Sequence, residues 1–244
     1  MAFLTRIPVS VNSPFVAEDL GRSTRWFPVV GLLIGVIYLA VYYCLAAFFP
    51  PSLAAVAVVA TESFLTGALH LDGLADMADG FGGGYSREEV LRIMRDHAIG
   101  SYGAVALILL IALKLAALSV LAERNLMVPY LLISPMLGRW STVFLSALLP
   151  YARRSADEGA MPGGNVPDYV SWPELVVATL TVASVLLALR RWLGLICWIA
   201  ALAVSAIVAR LCRRRIGGIT GDTLGAVTEL SEVAVLLVPI VLGS

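Results

Sequence analysis

Asp72, Asp76 and Asp79, within His70-Leu71-Asp72-Gly73-Leu74-Ala75-Asp76-Met77-Ala78-Asp79-Gly80, are spaced i, i+4, i+7. At about 100° per residue they fall within roughly 60° of a helical circumference, so a helix here projects three carboxylates from one stripe. Like charges at that spacing repel by a few tenths of a kcal/mol in water, and by more where solvent is withdrawn. The compensation such a stripe calls for is a divalent cation. An all-oxygen acidic donor set suits Mg²⁺ or Mn²⁺ rather than Zn²⁺, and Mg²⁺ is commonly shared between carboxylates and substrate phosphates. A solvated acidic helix end is the plainer alternative, weaker for three carboxylates that directly continue an apolar run than for two. Glu62 lies about 80° from Asp72 on the same wheel and would extend the stripe into that run. His70 has no second His or Cys at ligand spacing and reads as a packing or hydrogen-bonding residue.

Two further segments offer phosphate chemistry. Gly80-Phe81-Gly82-Gly83-Gly84 follows the stripe, and a glycine-rich loop there would let the N–H groups of Gly82 and Gly83 approach an anion. Ser86 with Glu89 forms a capping box that predicts a short helix, leading to Met94-Arg95-Asp96-His97. Arg95 could grip a phosphate as a bidentate fork and Asp96 could act as a base or a metal ligand; a local Arg–Asp pair is the alternative. The other segment, Arg213-Arg214-Arg215-Ile216-Gly217-Gly218-Ile219-Thr220-Gly221-Asp222, is richer than a basic membrane anchor requires. Gly217, Gly218, Thr220 and Gly221 are candidate phosphate contacts and Asp222 a further metal ligand. Lys114 and Arg139 sit inside apolar runs, where Glu62, Glu229 and Glu232 are the available counter-ions, predicting structural ion pairs that line a polar cavity.

The elements that must position these residues are membrane helices. The 244 residues are 59% hydrophobic and 14% charged, with a mean hydropathy of +0.89, which excludes disorder, a coiled coil, a nucleic-acid binder and an ordinary soluble globule. Apolar runs at about 27–49, 52–71, 103–122, 126–149, 174–189, 192–211 and 225–243 predict an all-α polytopic transmembrane bundle of about seven spans in one domain, 1–244. Pro50-Pro51 turns the first pair into a hairpin. Residues 1–26 form an N-terminal arm, and 72–102 and 212–224 are the loops carrying the site. Twelve of the seventeen Lys and Arg fall in the arm and in the connections at 72–102, 150–173 and 210–215, against Arg124, Arg190 and Arg191 on the other side. The positive-inside rule then puts the N-terminus and both loops in the cytoplasm and the C-terminus outside. The first 25 residues lack an apolar signal core, so no cleavable signal is expected. Cys44, Cys197 and Cys212 form no CxxC pair and read as apolar packing residues. Pro162-Gly163-Gly164-Asn165 is turn chemistry.

Taken in order, several blocks resemble the cobalamin synthase family, the adenosylcobinamide-GDP ribazoletransferases. They are Phe3-Leu4-Thr5-Arg6-Ile7-Pro8-Val9, Trp26-Phe27-Pro28-Val29-Val30-Gly31, Thr66-Gly67-Ala68-Leu69-His70 through Gly80, Ile93-Met94-Arg95-Asp96 and Gly100-Ser101-Tyr102-Gly103. Pro135-Met136-Leu137-Gly138-Arg139-Trp140, Leu149-Pro150-Tyr151-Ala152-Arg153 and Gly217 through Ala226 complete them, so the likeness runs along nearly the whole chain. It implies a multi-pass protein of the cell inner membrane with its active site on the cytoplasmic face. It also implies a reaction: the cobinamide phosphate of adenosylcobinamide-GDP is joined to α-ribazole or its 5′-phosphate with Mg²⁺, GMP leaves, and the nucleotide loop of the cobamide is completed. On this reading Asp72, Asp76, Asp79 and Asp222 hold metal, Asp96, Asp79 and Arg95 are catalytic, and Arg6 and Arg139 join the glycines and Thr220 in binding substrate. His97-Ala98 stands where the family more often has Ser-Arg, which passes a phosphate contact to Arg95 or Arg92.

Two rivals are weaker. A CDP-alcohol-type membrane phosphotransferase also uses an Asp cluster, but its longer signature has an Arg after Ala where Asp76 stands. An ion-coupled transporter would use Glu62, Lys114, Arg139 and Glu229, yet there is no internal repeat and the polar motifs gather on one face. The lipid bilayer is an expected partner and nucleic acid is not; a homo-oligomer stays open.

Overall fold

The computed structural model describes residues 4–7, 17–96, 98–153, 166–189 and 191–243. Among them lie ten α-helices and, in place of a sheet, one isolated bridge between Tyr151 and Ile219. The helices are α1 (Ala17–Ser23), α2 (Phe27–Ala46), α3 (Pro51–Thr66), α4 (Leu69–Gly83), α5 (Arg87–Ile93), α6 (Ser101–Glu123), α7 (Met127–Leu148), α8 (Trp172–Leu189), α9 (Arg191–Arg215) and α10 (Gly221–Val241). Six of the expected spans form as helices long and apolar enough to cross a membrane, or seven if the bent α3–α4 pair counts as one.

That pair corrects the sequence reading. The run expected at 52–71 stops at Thr66, because Gly67 (φ 66°) and Ala68 (φ 59°) both take left-handed backbone, and α4 leaves at 89° to α3. The aspartate stripe therefore does not continue an apolar span; it lies on a separate helix that turns away from one. The N-terminal arm is also more structured than a simple arm, being helical from Ala17 through a short turn at Thr24–Trp26. Cys197 and Cys212 are buried as expected, but Cys44 lies on the exposed side of α2. The turn expected at 162–165 and His97 lie outside the described residues.

Two helices occupy the centre. About 78% of the apolar window of α7 and 67% of that of α10 is buried, against 28–33% for the other four spans. α2 packs on α7 through Gly31 and Gly35, whose missing side chains leave room for the carbonyls of Pro135 and Leu131. Small residues at such crossings let backbones approach, which is how membrane helices gain packing without a hydrophobic driving force. α10 touches α4, α6, α7 and α9. One apolar cluster fills the space between α2, α3, α7 and α8, and a second lies under α4 and α5. The outer helices turn Leu33, Ile108, Leu109, Leu180, Leu187 and Ile207 outward, the apolar exterior a bilayer demands.

Candidate active site

The acidic helix is fixed at its end and along its length. Where α4 stops, Arg215 Nη2 donates to the carbonyls of Phe81 (2.7 Å) and Gly84 (2.6 Å), meeting acceptors the helix leaves open and complementing its dipole. Along its length α4 rests on the first turns of α10. A Cβ on Gly73 would stand 2.6 Å from the Asp222 carbonyl oxygen, and one on Gly225 3.1 Å from His70 Cα. These two glycines bring the backbones together, so Asp222 stands beside the Asp72 turn although about 150 residues separate them in sequence.

Along the stripe, exposure falls from Asp72 (exposed) through Asp76 (half-buried) to Asp79 (buried). Asp79 is committed. Its Oδ2 accepts from the Gly100 N–H at 2.7 Å and its Oδ1 from the Gly103 N–H at 2.8 Å, so it caps the first turn of α6. Each oxygen accepts one backbone N–H, which gives Asp79 a positioning role besides the metal-binding and catalytic ones expected of it. Asp72, Asp76 and Asp222 remain as the open group. The Asp76 carboxyl is pushed up to about 7, first by burial and then by the negative charges of Asp222 and Asp72, with Arg153 acting the other way. Arg153 Nη2 donates to Asp222 Oδ2 at 2.8 Å, and Thr220 Oγ1 donates to the same oxygen at 3.2 Å.

This donor set fits a hard divalent cation in its open mode. Among the described residues, the acidic trio with oxygens all within 4.8 Å of one another is Glu62, Glu229 and Glu232, so the aspartates are more widely spaced than a closed cage. Mg²⁺ commonly takes only one or two carboxylates and fills its octahedron with water and substrate phosphate.

The glycine-acid loop is held from both sides. The Ala152 N–H donates to the Ile219 carbonyl at 2.7 Å and the Ile219 N–H to the Pro150 carbonyl at 2.9 Å. Gly217 has φ 75°, and the Pro150 carbonyl occupies the place a Cβ of Gly218 would need, so both glycines are required by the loop's own geometry. Arg87 stitches the same two segments, Nε donating to the Ile216 carbonyl (2.8 Å) and Nη2 to that of Ala152 (2.6 Å). Thr220 is buried as the N-cap of α10, exchanging bonds with Thr223 in a capping box. Gly221 differs: it is exposed, with open space where a Cβ would go.

Other expected contacts are rearranged. Gly82 and Gly83 are not a loop but the last turn of α4, where their N–H groups serve the helix and Gly82 lies against the Tyr102 ring. The Ser86 cap forms, with Ser86 Oγ accepting from the Glu89 N–H at 3.2 Å; the returning bond goes from the Tyr85 N–H to Glu89 Oε2 at 2.8 Å. Arg95 lines a cavity of about 430 Å³ with Arg87, Arg92 and Arg153, a size typical of small-molecule sites. Asp96 is exposed, its Oδ1 accepting from the Ala98 N–H at 3.1 Å. Arg6 donates its backbone N–H to the Leu65 carbonyl at 2.7 Å and lays its guanidinium over Gly67, at the α3–α4 break.

Arg139 is not at this face. It is fully buried midway along α7, its Nη1 donating to Glu232 Oε1. There the expected ion pairs form: Lys114 Nζ lies 2.7 Å from both oxygens of Glu62, 2.7 Å from Glu229 Oε2 and 2.9 Å from Glu232 Oε2. They do not line an open cavity, since none of the five side chains' residues is more than 4% exposed. Glu62 accordingly belongs to this group and not to the aspartate stripe. Arg153 and Arg87 are the site residues that sequence reasoning passed over. Arg153 was visible in the block Leu149-Pro150-Tyr151-Ala152-Arg153, but nothing in the sequence paired it with Asp222.

The chain is similar along its length to one family of proteins. The family model described as cobalamin-5-phosphate synthase matches residues 1–240. An adenosylcobinamide-GDP ribazoletransferase of Shewanella amazonensis is 38% identical over 100% of this chain and 94% of its own length. The protein of that name from Syntrophobacter fumaroxidans is 38% identical over 97% of this chain and 94% of its own, and that from Chlorobaculum tepidum 41% over 96% and 90%. No solved structure matches it.

Proposed function

Because the chain belongs to the cobalamin-5-phosphate synthase family, we propose that it is an adenosylcobinamide-GDP ribazoletransferase acting at the α4–α10 face. A hydroxyl of α-ribazole, or of its 5′-phosphate, attacks the phosphorus that carries cobinamide. The bond from that phosphorus to the bridging oxygen breaks, GMP departs with that oxygen, and the hydroxyl proton passes to an exposed carboxylate, for which Asp96, outside the metal trio, is available on this side. Such a substitution asks the protein mainly for positioning and for electrostatic stabilisation of the phosphoryl oxygens.

The observation that carries the reading is the convergence of Asp72, Asp76 and Asp222, from segments distant in sequence, with Arg153 as their close cation and an arginine-lined cavity adjoining it. These three carboxylates would hold Mg²⁺, which when bound neutralises charge on the diphosphate. Arg92 and Arg95, exposed on the cavity wall, would receive the anionic nucleotide part, and the open space over Gly221 leaves the α10 N-terminus free to face a phosphate. Asp79 fixes the start of α6 against α4 and so sets the stripe's orientation. The basic connections support a cytoplasmic placement of this face in the inner membrane; reporter fusions within 81–90 and 216–221 should read cytoplasmic, and one at Ser244 external.

The test is turnover by purified protein in detergent. Adenosylcobinamide-GDP and α-ribazole should give cobamide and GMP in equal amounts with Mg²⁺ and none with a chelator. Cobamide formation unaffected by chelation would remove the metal from this reading, and no product under any metal would remove the reaction.

A further inference from the structure

The buried ion cluster contains one more acid than base. Lys114 and Arg139 bring two positive charges, while Glu62, Glu229 and Glu232 bring three carboxyl groups, all at most 4% exposed. The neighbours facing it from α2 and α4 are Tyr38, which has no cationic form, and His70, which is buried with its Nδ1 lacking a hydrogen-bond partner and forms no ion pair with the three acids among the described residues. Lys114 is saturated, with carboxylate oxygens from three residues around one ammonium, and Arg139 already serves Glu232. A net negative charge sealed in low dielectric is costly enough that such groups ordinarily take up a compensating ion. The geometry names the place. The carboxyl groups of Glu62 and Glu232 close on the same Lys114 ammonium, and one oxygen from each of the three acids lies within 4.8 Å of the others. Two carboxylates can share a hydrogen bond only if one carries the hydrogen. Nearby polar atoms also lack partners: the Tyr38 hydroxyl, Arg139 Nε and Nη2, and Glu229 Oε1 are buried without a hydrogen bond.

We propose that this cluster is a built-in proton site, holding one proton between Glu62 and Glu232, with Glu62 as the carboxylic acid that donates and Glu232 as the carboxylate that accepts. The proton comes from water and no bond other than that O–H is made. The closed group is then neutral, with Glu229 and Glu232 ionised against Lys114 and Arg139. Glu62 carries the proton because it has only Lys114 as a cationic partner, whereas Glu232 meets both Lys114 and Arg139.

Infrared difference spectroscopy of the purified protein and its E62Q variant tests this. Wild type at neutral pH should show a protonated-carboxyl carbonyl band that shifts in D₂O and is lost in E62Q. Since glutamine mimics the neutral acid, E62Q should keep wild-type melting temperature and turnover, while E232Q, which strips Arg139 of its carboxylate, should melt well below wild type. A wild-type spectrum lacking that band, together with a melting temperature that rises with Na⁺ or K⁺ over choline, would overturn the proposal in favour of a bound monovalent cation. If E62Q fails to fold, the wild-type band and its indifference to those cations still decide. None of these readouts depends on the proposed transferase reaction, so each reading can fail alone.

Discussion

Helix α10 carries acids in two settings. Asp222 stands in its first turn, half-buried, beside Asp72 and Asp76; Glu229 and Glu232 lie about 10 and 15 Å deeper along the axis, beside Glu62. The residue types are alike and the surroundings opposite. The deep trio is closed off and met by Lys114 and Arg139, two bases for three acids, with the proposed proton completing the balance. The outer trio meets Arg153, which reaches Asp222, and the Asp76 carboxyl is raised first by burial and then by the repulsion left over. What separates a structural acid group from one that invites a cation is therefore the inventory of basic partners and the access of solvent, more than how closely the acids cluster. The tighter of the two trios is the structural one.

The largest effect expected from breaking this contrast is on the deep side. Lys114→Met leaves three carboxyl groups around an apolar chain and should cost about 3–5 kcal/mol, as when one partner of a buried pair is removed. Denaturation in detergent measures it. A loss under about 1 kcal/mol would mean that the cluster is not holding α3, α6 and α10 together. On the outer side Asp76→Asn should do the reverse. Turnover should fall by about a hundredfold or more, the scale seen when one preorganised electrostatic contact is removed. Stability should hold or rise by a few tenths of a kcal/mol, because a repulsive neighbour is gone. An Asp76→Asn protein with near-normal turnover would place the cation elsewhere.

Legibility followed the range of the interaction. Apolar runs reported the long helices because bilayer crossing is a local property of about 20 residues. The Ser86 cap, the Pro50-Pro51 break and the i, i+4, i+7 stripe were equally readable. The break at Gly67-Ala68 was not, since two adjacent left-handed residues are a tertiary solution, held by Arg6 bonding to Leu65 across it. That missed bend is why Glu62 looked like part of the stripe. Glycines were ambiguous for a related reason. The sequence offers the same residue whether backbone must approach an anion, another backbone or a ring; Gly73, Gly218 and Gly225 do the second and Gly82 the third. Arg139 could be read as a phosphate ligand or an ion-pair member, and only the depth of Glu232 on α10 decides.

A smaller effect measures whether the outer group acts as one. Asp72→Asn and Asp222→Asn, singly and together, should give losses in kcat/KM that fail to add by about 0.5–3 kcal/mol, as for residues sharing one ligand. Additive losses would separate the two helices into independent contacts and return Asp222 to a purely structural pairing with Arg153.

The smallest expected change in the fold is the most selective probe of the substrate. Gly221 is exposed at the first position of α10, its backbone is not left-handed, and nothing lies within 4 Å of where a Cβ would stand. Gly221→Ala should therefore leave the structure alone and stabilise the helix by at most about 1 kcal/mol through higher helix propensity. Gly218→Ala is the contrasting case, because its methyl would displace the Pro150 carbonyl and break the pairing of the two loops. If a diphosphate comes down onto the α10 N-terminus next to Asp222, the added methyl at Gly221 occupies its approach. KM for adenosylcobinamide-GDP should then rise several-fold while the melting temperature is unchanged or higher. Wild-type KM in Gly221→Ala would move the phosphates away from α10, toward Arg92 and Arg95 on the α5 side of the cavity, and would leave the outer acids to be contacted from α4.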